Sequence, residues 1–298
     1  MHVVGLVLHP RRDSAAAVSS VLEWAARKGA QVLGIDSEID RLDCPAVAVP
    51  AEEIGRRADL LVSLGGDGTM LRAMRLADRQ SGPVLGVNLG KLGFLAEVDV
   101  PDLPGALSAI DNLEFTIESR LAVDAVVGGQ VVTAFNDVAF VRFPGEPTAV
   151  IAVRAAGHPF VSYAADAVVV ATPTGSTAYS FSAGGPIVSP SVEALLVTPA
   201  APHSAYNRGL VLSVQDSLML EILPASGPLA VEVDGQVAAQ VAAGDQIELR
   251  PRPGAAHVVR LGRTTFYERA RRKLRLTDSA EVPPWPGEPE ERFGVPAT

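Results

Sequence analysis

Apolar positions in the first hundred residues follow two alternating periods. Short apolar runs, several of them rich in β-branched residues, read as strands: Val3–Leu8, Gln31–Ile35, Ala46–Val49, Leu60–Leu64 and Pro83–Asn88. Between them the spacing turns helical. Residues 15–28 set Val18, Val21, Leu22 and Ala25 on one face, with Ser14 placed to cap the helix and Gly29 to end it. A second helix is predicted from about Thr69 to Arg79, straight after Gly65-Gly66-Asp67-Gly68. Strands alternating with helices predict an α/β region built on a parallel sheet.

From about residue 113 the helical period disappears. Leu121–Val127 and Gln130–Phe135 flank Gly128-Gly129 as a hairpin. Val150–Ala155, Ala167–Ala171, Leu210–Val214, Leu218–Leu223, Leu229–Val233, Val237–Val241 and Ile247–Arg250 continue an all-β half. Thr265–Leu274 is again helical and is expected to return to the first region. The predicted organisation is an α/β domain over 1–103, completed by a helix near 265–278, and a β-rich domain over 104–264. Residues 279–298, with Pro283-Pro284-Trp285-Pro286 and several acids, are expected to form a disordered tail. No internal repeat is visible.

Composition narrows the partners. Of 298 residues, 48% are hydrophobic and 20% charged, the balance of an ordinary globular chain. A net charge of −9 argues against broad nucleic-acid or anionic-membrane binding, since polyanions are not drawn to an acidic surface. A phosphate ligand would therefore be held by local devices: backbone amides, helix ends, a few basic side chains and a divalent metal. Cys44 is alone, which removes disulfide frameworks and cysteine metal clusters. The five histidines are scattered, and no apolar run has the length of a membrane span. The expectation is a cytoplasmic protein.

Two segments carry candidate chemistry. Gly65-Gly66-Asp67-Gly68-Thr69 joins a strand to a helix, where glycines bring backbone N–H groups and a helix dipole against phosphate. Asp67 would repel phosphate unless it holds a metal or takes a proton from an attacking hydroxyl; the plainer alternative is an aspartate that caps its helix. The loop is neither a dinucleotide fingerprint, lacking the third glycine, nor a Walker A sequence, because no Gly-Lys-Ser or Gly-Lys-Thr occurs. The second segment, Thr172 to Pro186, follows an apolar strand with closely spaced Ser and Thr hydroxyls around Tyr179. Such a set suits a nucleotide, with a base to stack and a ribose to hydrogen-bond; a Ser/Thr-rich turn with Tyr179 in the core is the alternative. Ser176 is not in a nucleophile-elbow sequence.

Together these segments resemble the NAD kinase family, over roughly residues 3–275. Gly65–Leu71 is similar to its phosphate loop, Gly86–Leu95 to the segment one strand later, and Thr172–Pro186 to its NAD-binding stretch, which includes Thr174. Val4–Val7 leading to His9-Pro10 is similar too. The resemblance implies an α/β domain plus a sandwich-like all-β domain with the site between them. It also implies transfer of the γ-phosphoryl group of ATP, or of a phosphoryl group of polyphosphate, to the 2′-hydroxyl of NAD's adenosine ribose. Magnesium is expected to travel with the nucleotide rather than in a dedicated protein site, and the protein to form a homodimer or homotetramer.

By the same resemblance Asp67 is the catalytic aspartate, within a loop of Gly65, Gly66, Gly68 and Thr69. Gly68 and Arg72 match NAD-contacting positions. Asn136 and Asp137 match an asparagine–acid pair at the adenosine portion, and Asp166 an aspartate at the nicotinamide end. Thr177, Ala178, Tyr179, Ser180, Phe181 and Ser182 match adenine and nicotinamide contacts. Asp234-Gly235-Gln236 resembles a late motif reaching back to the ligand through Asp234 and Gln236. Plainer alternatives are a solvated Arg72, a turn at Asn136-Asp137 and a hairpin turn at Asp234-Gly235. His203 is read as structural. The cluster Arg269, Arg271, Arg272, Lys273 and Arg275 is read as a basic helix end complementing its dipole. The chain departs from the family pattern at Asp137, where glutamate is usual, at Ala167 in place of glycine, and over Ser204–Gly209. Rival functions are a lipid kinase, which lacks a Thr172–Tyr179 stretch, and a non-catalytic dinucleotide-binding regulator.

Overall fold

The computed structural model describes residues 1–40, 42, 44–78, 82–90, 93–203 and 206–276. The predicted tail, Ser204-Ala205 and the Lys91-Leu92 part of the Gly86–Leu95 segment lie outside these.

Strands β1 (Val3–Leu8), β2 (Gln31–Ile35), β3 (Val47–Val49), β4 (Leu60–Gly65) and β5 (Val84–Asn88) form a parallel sheet in the order β3-β2-β1-β4-β5. Helices α1 (Ala15–Lys28), α2 (Asp36–Ile39), α3 (Ala51–Arg57), α4 (Asp67–Ala77) and α5 (Leu103–Asp111) accompany it, with the short strand β6 (Val98–Asp99) beside β5. The two-residue period of the strands divides their apolar side chains between faces. Val4, Leu6 and Leu8 pack with Val18, Val21 and Trp24 of α1 and Leu107 of α5. Val7, Leu33 and Leu61 turn the other way, onto Ile54 of α3 and Met70 and Met74 of α4.

Helix α1 has its expected bounds and ends on Gly29 at φ 64°, a left-handed turn open to glycine. Its start differs. The Ser14 hydroxyl is buried and makes no capping bond, and the Ala15 N–H goes instead to Asp13 Oδ1 at 2.9 Å. Helix α4 begins at Asp67, two residues before the predicted start, and Arg79 lies outside the described residues.

The β-rich half contains β7 (Thr116–Val127), β8 (Gln130–Ala134), β9 (Asp137–Arg142), β10 (Ala149–Ala155), β11 (His158–Ala165) and β12 (Ala167–Ala171). After the short helix α6 (Tyr179–Ser182) come β13 (Ala194–Ala200), β14 (Leu210–Ser213), β15 (Leu218–Ile222), β16 (Leu229–Val233), β17 (Gln236–Val241) and β18 (Gln246–Arg260). Six of these make an antiparallel sheet, β14-β13-β12-β9-β16-β17. It packs on β7, β10, β15 and β18 through Phe140, Val168, Val170, Leu195 and Val231 on one side and Val123, Ile151, Leu220 and Leu249 on the other. That is a sheet-on-sheet core.

Strand β18 joins the two halves. Its first part pairs with β15, Val258 pairs in parallel with Val84 of β5, and β7 lies along its other edge. The parallel sheet and half of the antiparallel strands are thus one twelve-stranded sheet. The predicted end at Arg250 falls ten residues short, because a register shift between Arg252 and Ala256 carries the strand past Pro251, Pro253 and Gly254. Helix α7 (Phe266–Leu274) then returns to the α/β half, opened by a capping box between Thr265 and Glu268. Among the described residues no helix is long and apolar enough to cross a membrane.

Candidate active site

Strand β4 is buried along its whole length and delivers Gly65-Gly66 to the start of α4. Asp67, the first helical residue, does not cap the helix. Its Oδ2 accepts the Phe94 N–H and its Oδ1 the Leu95 N–H, both at 3.0 Å, from the segment after β5. A Cβ at Gly93 would collide with this carboxylate, so the close approach requires glycine. Lys273 of α7 completes the surroundings, its Nζ 2.8 Å from Asp67 Oδ2.

Asp67 lines an open cavity of about 620 Å³ together with Gly66, Gly68, Thr69, Arg72 and Gln236. Arg12, Arg75 and Lys273 add positive charge to the same cavity. Gly65 is not among the lining residues; its carbonyl accepts the Leu89 N–H at 3.2 Å. Arg72 is not a solvated face residue: Nη1 meets Glu38 Oε1 and Nη2 the Leu8 carbonyl, each at 2.5 Å.

A second group of predicted residues gathers around Asp137. Asp234, at the β16–β17 turn with φ 48°, is both turn and tether. Its Oδ1 accepts the N–H groups of Asn136 at 2.7 Å and of Phe135 at 3.1 Å, while Oδ2 pairs with Arg75 at 2.6 Å. Thr172 fixes the nucleotide-like stretch to the same place, with its N–H on the Asn136 carbonyl at 2.8 Å and its hydroxyl on the Phe135 carbonyl at 2.5 Å. Asp137 is buried, and that burial, followed by the neighbouring Asp234 carboxylate, pushes its carboxyl up to about 7 against a hydrogen bond from the Tyr179 backbone. Burial, then Glu232, Asp137 and Asp166, raise the Tyr179 hydroxyl.

The hydroxyls of this stretch are not equivalent. Ser180 is fully buried and pairs with Thr198 Oγ1 at 3.0 Å, and Thr174 Oγ1 accepts from Arg120 at 3.1 Å. Thr177 and Ser182 turn back on the carbonyls of Thr174 and Ala178 at 3.4 and 3.5 Å. Ala178, Tyr179 and Phe181 are half-buried. Asp166 lies toward the other end of β12 from Asp137. Ala171 is in register with Asp137 and Asp166 precedes the opposite end of β12, roughly 16 Å along the strand. There it pairs with Arg142 at 2.6 Å.

The basic end of α7 differs from its reading as a dipole complement. Arg269 is buried and its Nε donates to the Phe94 carbonyl at 3.2 Å, while Lys273, four residues on, reaches Asp67. Arg260 Nη1 donates to the Leu95 carbonyl at 2.7 Å and its Nε to Glu118 at 3.0 Å. Glu118 also pairs with Arg120, whose guanidinium burial pushes down to about 10. The two residues whose N–H groups orient Asp67 are thus held through their carbonyls by buried arginines. Sequence reasoning did not single out Arg75, Arg120 or Arg260. The one available signal was the four-residue spacing of Arg269 and Lys273, which places both on one helical face. Among the described residues no three His, Cys, Asp or Glu side chains gather into a metal cage.

Comparison with known proteins gives the family. The ATP-NAD kinase N-terminal domain matches residues 4–115 and the ATP-NAD kinase C-terminal domain residues 135–261. The NAD kinase of Desulforamulus reducens is 38% identical over 283 residues, covering 92% of this chain and 98% of that protein. NAD kinase 1 of Streptomyces avermitilis is 38% identical over 315 residues, covering 93% and 88%. Among solved structures, yeast NADH kinase in complex with NADH superposes with a TM-score of 0.82 at 26% identity, covering 95% of this chain and 90% of that one. An NAD kinase from Archaeoglobus fulgidus in complex with ATP gives 0.72 at 25% identity, covering 92% and 98%. The chain belongs to the NAD kinase family and is a phosphotransferase that phosphorylates NAD.

Proposed function

We propose that Asp67 is the base that takes the proton of the ribose 2′-hydroxyl, and that ATP delivers its γ-phosphoryl group across the cavity beside it. The observation that carries this reading is the aim of the carboxylate. It turns away from its own helix and is held by two backbone N–H groups at the wall of a cation-lined cavity. Oδ1 keeps acceptor capacity for a hydroxyl, since Leu95 N–H is its one hydrogen-bond donor among the described residues. The ribose oxygen then bonds to the γ-phosphorus, the bond to the β,γ-bridging oxygen breaks, and ADP leaves. Asp67 later returns the proton to water. In such a transfer the protein contributes positioning and charge stabilisation more than covalent chemistry.

Magnesium fits as a passenger on the triphosphate, because Asp67 is the sole carboxylate among the described residues that line the cavity. Bound with the nucleotide, it would supply charge neutralisation there. We assign the adenosine end of NAD to Asn136, Asp137 and the Thr174–Ser182 stretch apart from the buried Ser180, with Asp234 positioning them, and the nicotinamide end to the side of Asp166. On the family resemblance the enzyme acts in the cytoplasm as a homodimer or homotetramer. The deciding experiment gives the purified protein ATP, magnesium and NAD and reads product with an NADP-specific dehydrogenase. No NADP would sink the reading.

A further inference from the structure

We propose that Lys273 is a second catalytic residue, which stabilises the charge on the phosphoryl group in transfer once Asp67 has taken the hydroxyl proton. The inference rests on the assignment of Asp67 above. A phosphoryl group in flight spreads negative charge over its oxygens, and phosphate loops commonly answer it with a lysine. The loop here has none: Gly65 to Leu71 contains no basic residue. Lys273 comes instead from the far end of the chain, 206 residues on, and its ammonium group lines the same cavity as Gly66, Asp67 and Gly68.

Its placement is built rather than incidental. The capping box at Thr265 and Glu268 fixes the start of α7, and buried Arg269 anchors it to the Phe94 and Thr264 carbonyls. The next turn then carries the lysine to Asp67. The ammonium also lies over the Phe94 ring, 4.6 Å from its centre, which holds a cation without neutralising it.

Charge arithmetic separates Lys273 from Arg72 and Arg75, while Arg12 donates to the neutral Leu89 carbonyl and its charge is the same throughout. Arg72 is matched by Glu38 and Arg75 by Asp234, carboxylates that keep their charge through the reaction as written. The ion-pair partner of Lys273 is Asp67 itself. When the proton of the 2′-hydroxyl passes to Asp67, that carboxylate becomes neutral and the ammonium charge is released. It is released beside the attacking oxygen, as negative charge builds on the phosphoryl group. The lysine stays protonated throughout, so no further proton or co-reactant is needed.

The test uses full-length enzyme with saturating ATP, magnesium and NAD. Lys273→Met removes the charge at nearly constant shape and is expected to lower kcat roughly 10²–10³-fold. The KM for NAD, NAD binding by calorimetry and Tm should stay close to wild type. Lys273→Arg should retain more turnover than Lys273→Met. A lysine that merely holds Asp67 in place could give the same single-variant result, so Lys273→Met is also made in the Asp67→Asn background. Direct contact with the phosphoryl group predicts a further loss of about tenfold or more there. No further loss, an Arg variant as slow as the Met variant, or turnover that rises when the lysine is removed would each overturn the proposal. Wild-type turnover in Asp67→Asn alone would defeat the reading of Asp67, a separate result.

Discussion

The two halves of the candidate site are built with opposite charge. Around Asp67 the described residues of the cavity wall carry Arg12, Arg72, Arg75 and Lys273 against a single carboxylate. Around Tyr179 the order reverses: Asp137, Glu232 and Asp166 act on its hydroxyl, and burial has raised Asp137. The first region is open, and the second is sunk into the end of a β-sandwich. A chain of net charge −9 therefore segregates its charges within one site, presenting cations where phosphates would lie and buried acceptors where ribose and base would be read. Arg75 and Asp234 stitch the regions together, since one carboxylate holds both an α4 arginine and the backbone that presents Asn136.

The comparison breaks first at Asp67. If the open region does chemistry and the buried one binds, Asp67→Asn should cut kcat by about 10²–10⁴ while NAD affinity changes little. Steady-state kinetics beside calorimetric titration with NAD separates the two. Turnover at the wild-type level would leave the cationic cavity without a catalytic centre.

The buried region should fail in the complementary way. Asp137→Ala removes a hydrogen-bonding group in a dry setting and is expected to cost about 1–3 kcal/mol in kcat/KM for NAD. Asp137→Glu restores the acid usual in the family and should keep most activity. Were Asp137 only a turn residue, Asp137→Ala would lower Tm and leave the NAD constants alone. Both quantities are read on the same two variants.

What the sequence shows of this arrangement depends on how local the signal is. Helix α1 and strands β2, β12 and β16 were legible to the residue, because an unbroken apolar period runs between clear stop signals. Helix α5 was missed because it opens with Leu103-Pro104-Gly105, residues that read as a loop although proline suits a first helical turn. Strand β13 was hidden by Pro199, which the structure accepts beside Val168 of β12. Strand β11, with its exposed His158, Pro159 and Phe160, shows little alternation at its start. In the site, the Gly65–Thr69 loop and the hydroxyls after β12 stand out as local clusters. Lys273 and Arg269 show only as part of a basic helix end and Arg260 not at all, because what places them at Asp67 is the crossing of β18 and the return of α7, which no local pattern records.

The titration of Asp137 sharpens the contrast in stability. In the unfolded chain its carboxyl ionises near the ordinary 3.8, whereas in the fold it does so at about 7. Between those values the folded state keeps a proton that the unfolded state gives up. The stability that Asp137 contributes therefore declines as pH rises from about 4 to about 7. Asp137→Asn removes this titration. Its Tm should lie close to wild type in mild acid and exceed it by several degrees near pH 8, as thermal scans across that range would show. A gap that closed as pH rose would mean the carboxylate is stabilised in its charged form.

The smallest effect concerns Ser180, which the family pattern offers as a ligand contact and the fold commits elsewhere. Its hydroxyl is fully buried and 3.0 Å from Thr198 Oγ1, while the Gly185 N–H donates to its carbonyl at 2.8 Å. A side chain bound in this way holds α6 against β13, and it has little freedom left to turn toward a nucleotide. Ser180→Ala would leave Thr198 short of a partner in a dry place, a cost of about 1 kcal/mol in stability. For a chain of this size that corresponds to a fall of roughly 2–4 °C in Tm. The KM for NAD should hardly move. Ser182→Ala, exposed and with only a 3.5 Å contact to the Ala178 carbonyl, should leave Tm unchanged. If instead Ser180→Ala raised the KM for NAD tenfold with Tm intact, the pairing with Thr198 would have to open when ligand binds, and the buried region would be less preformed than its packing indicates.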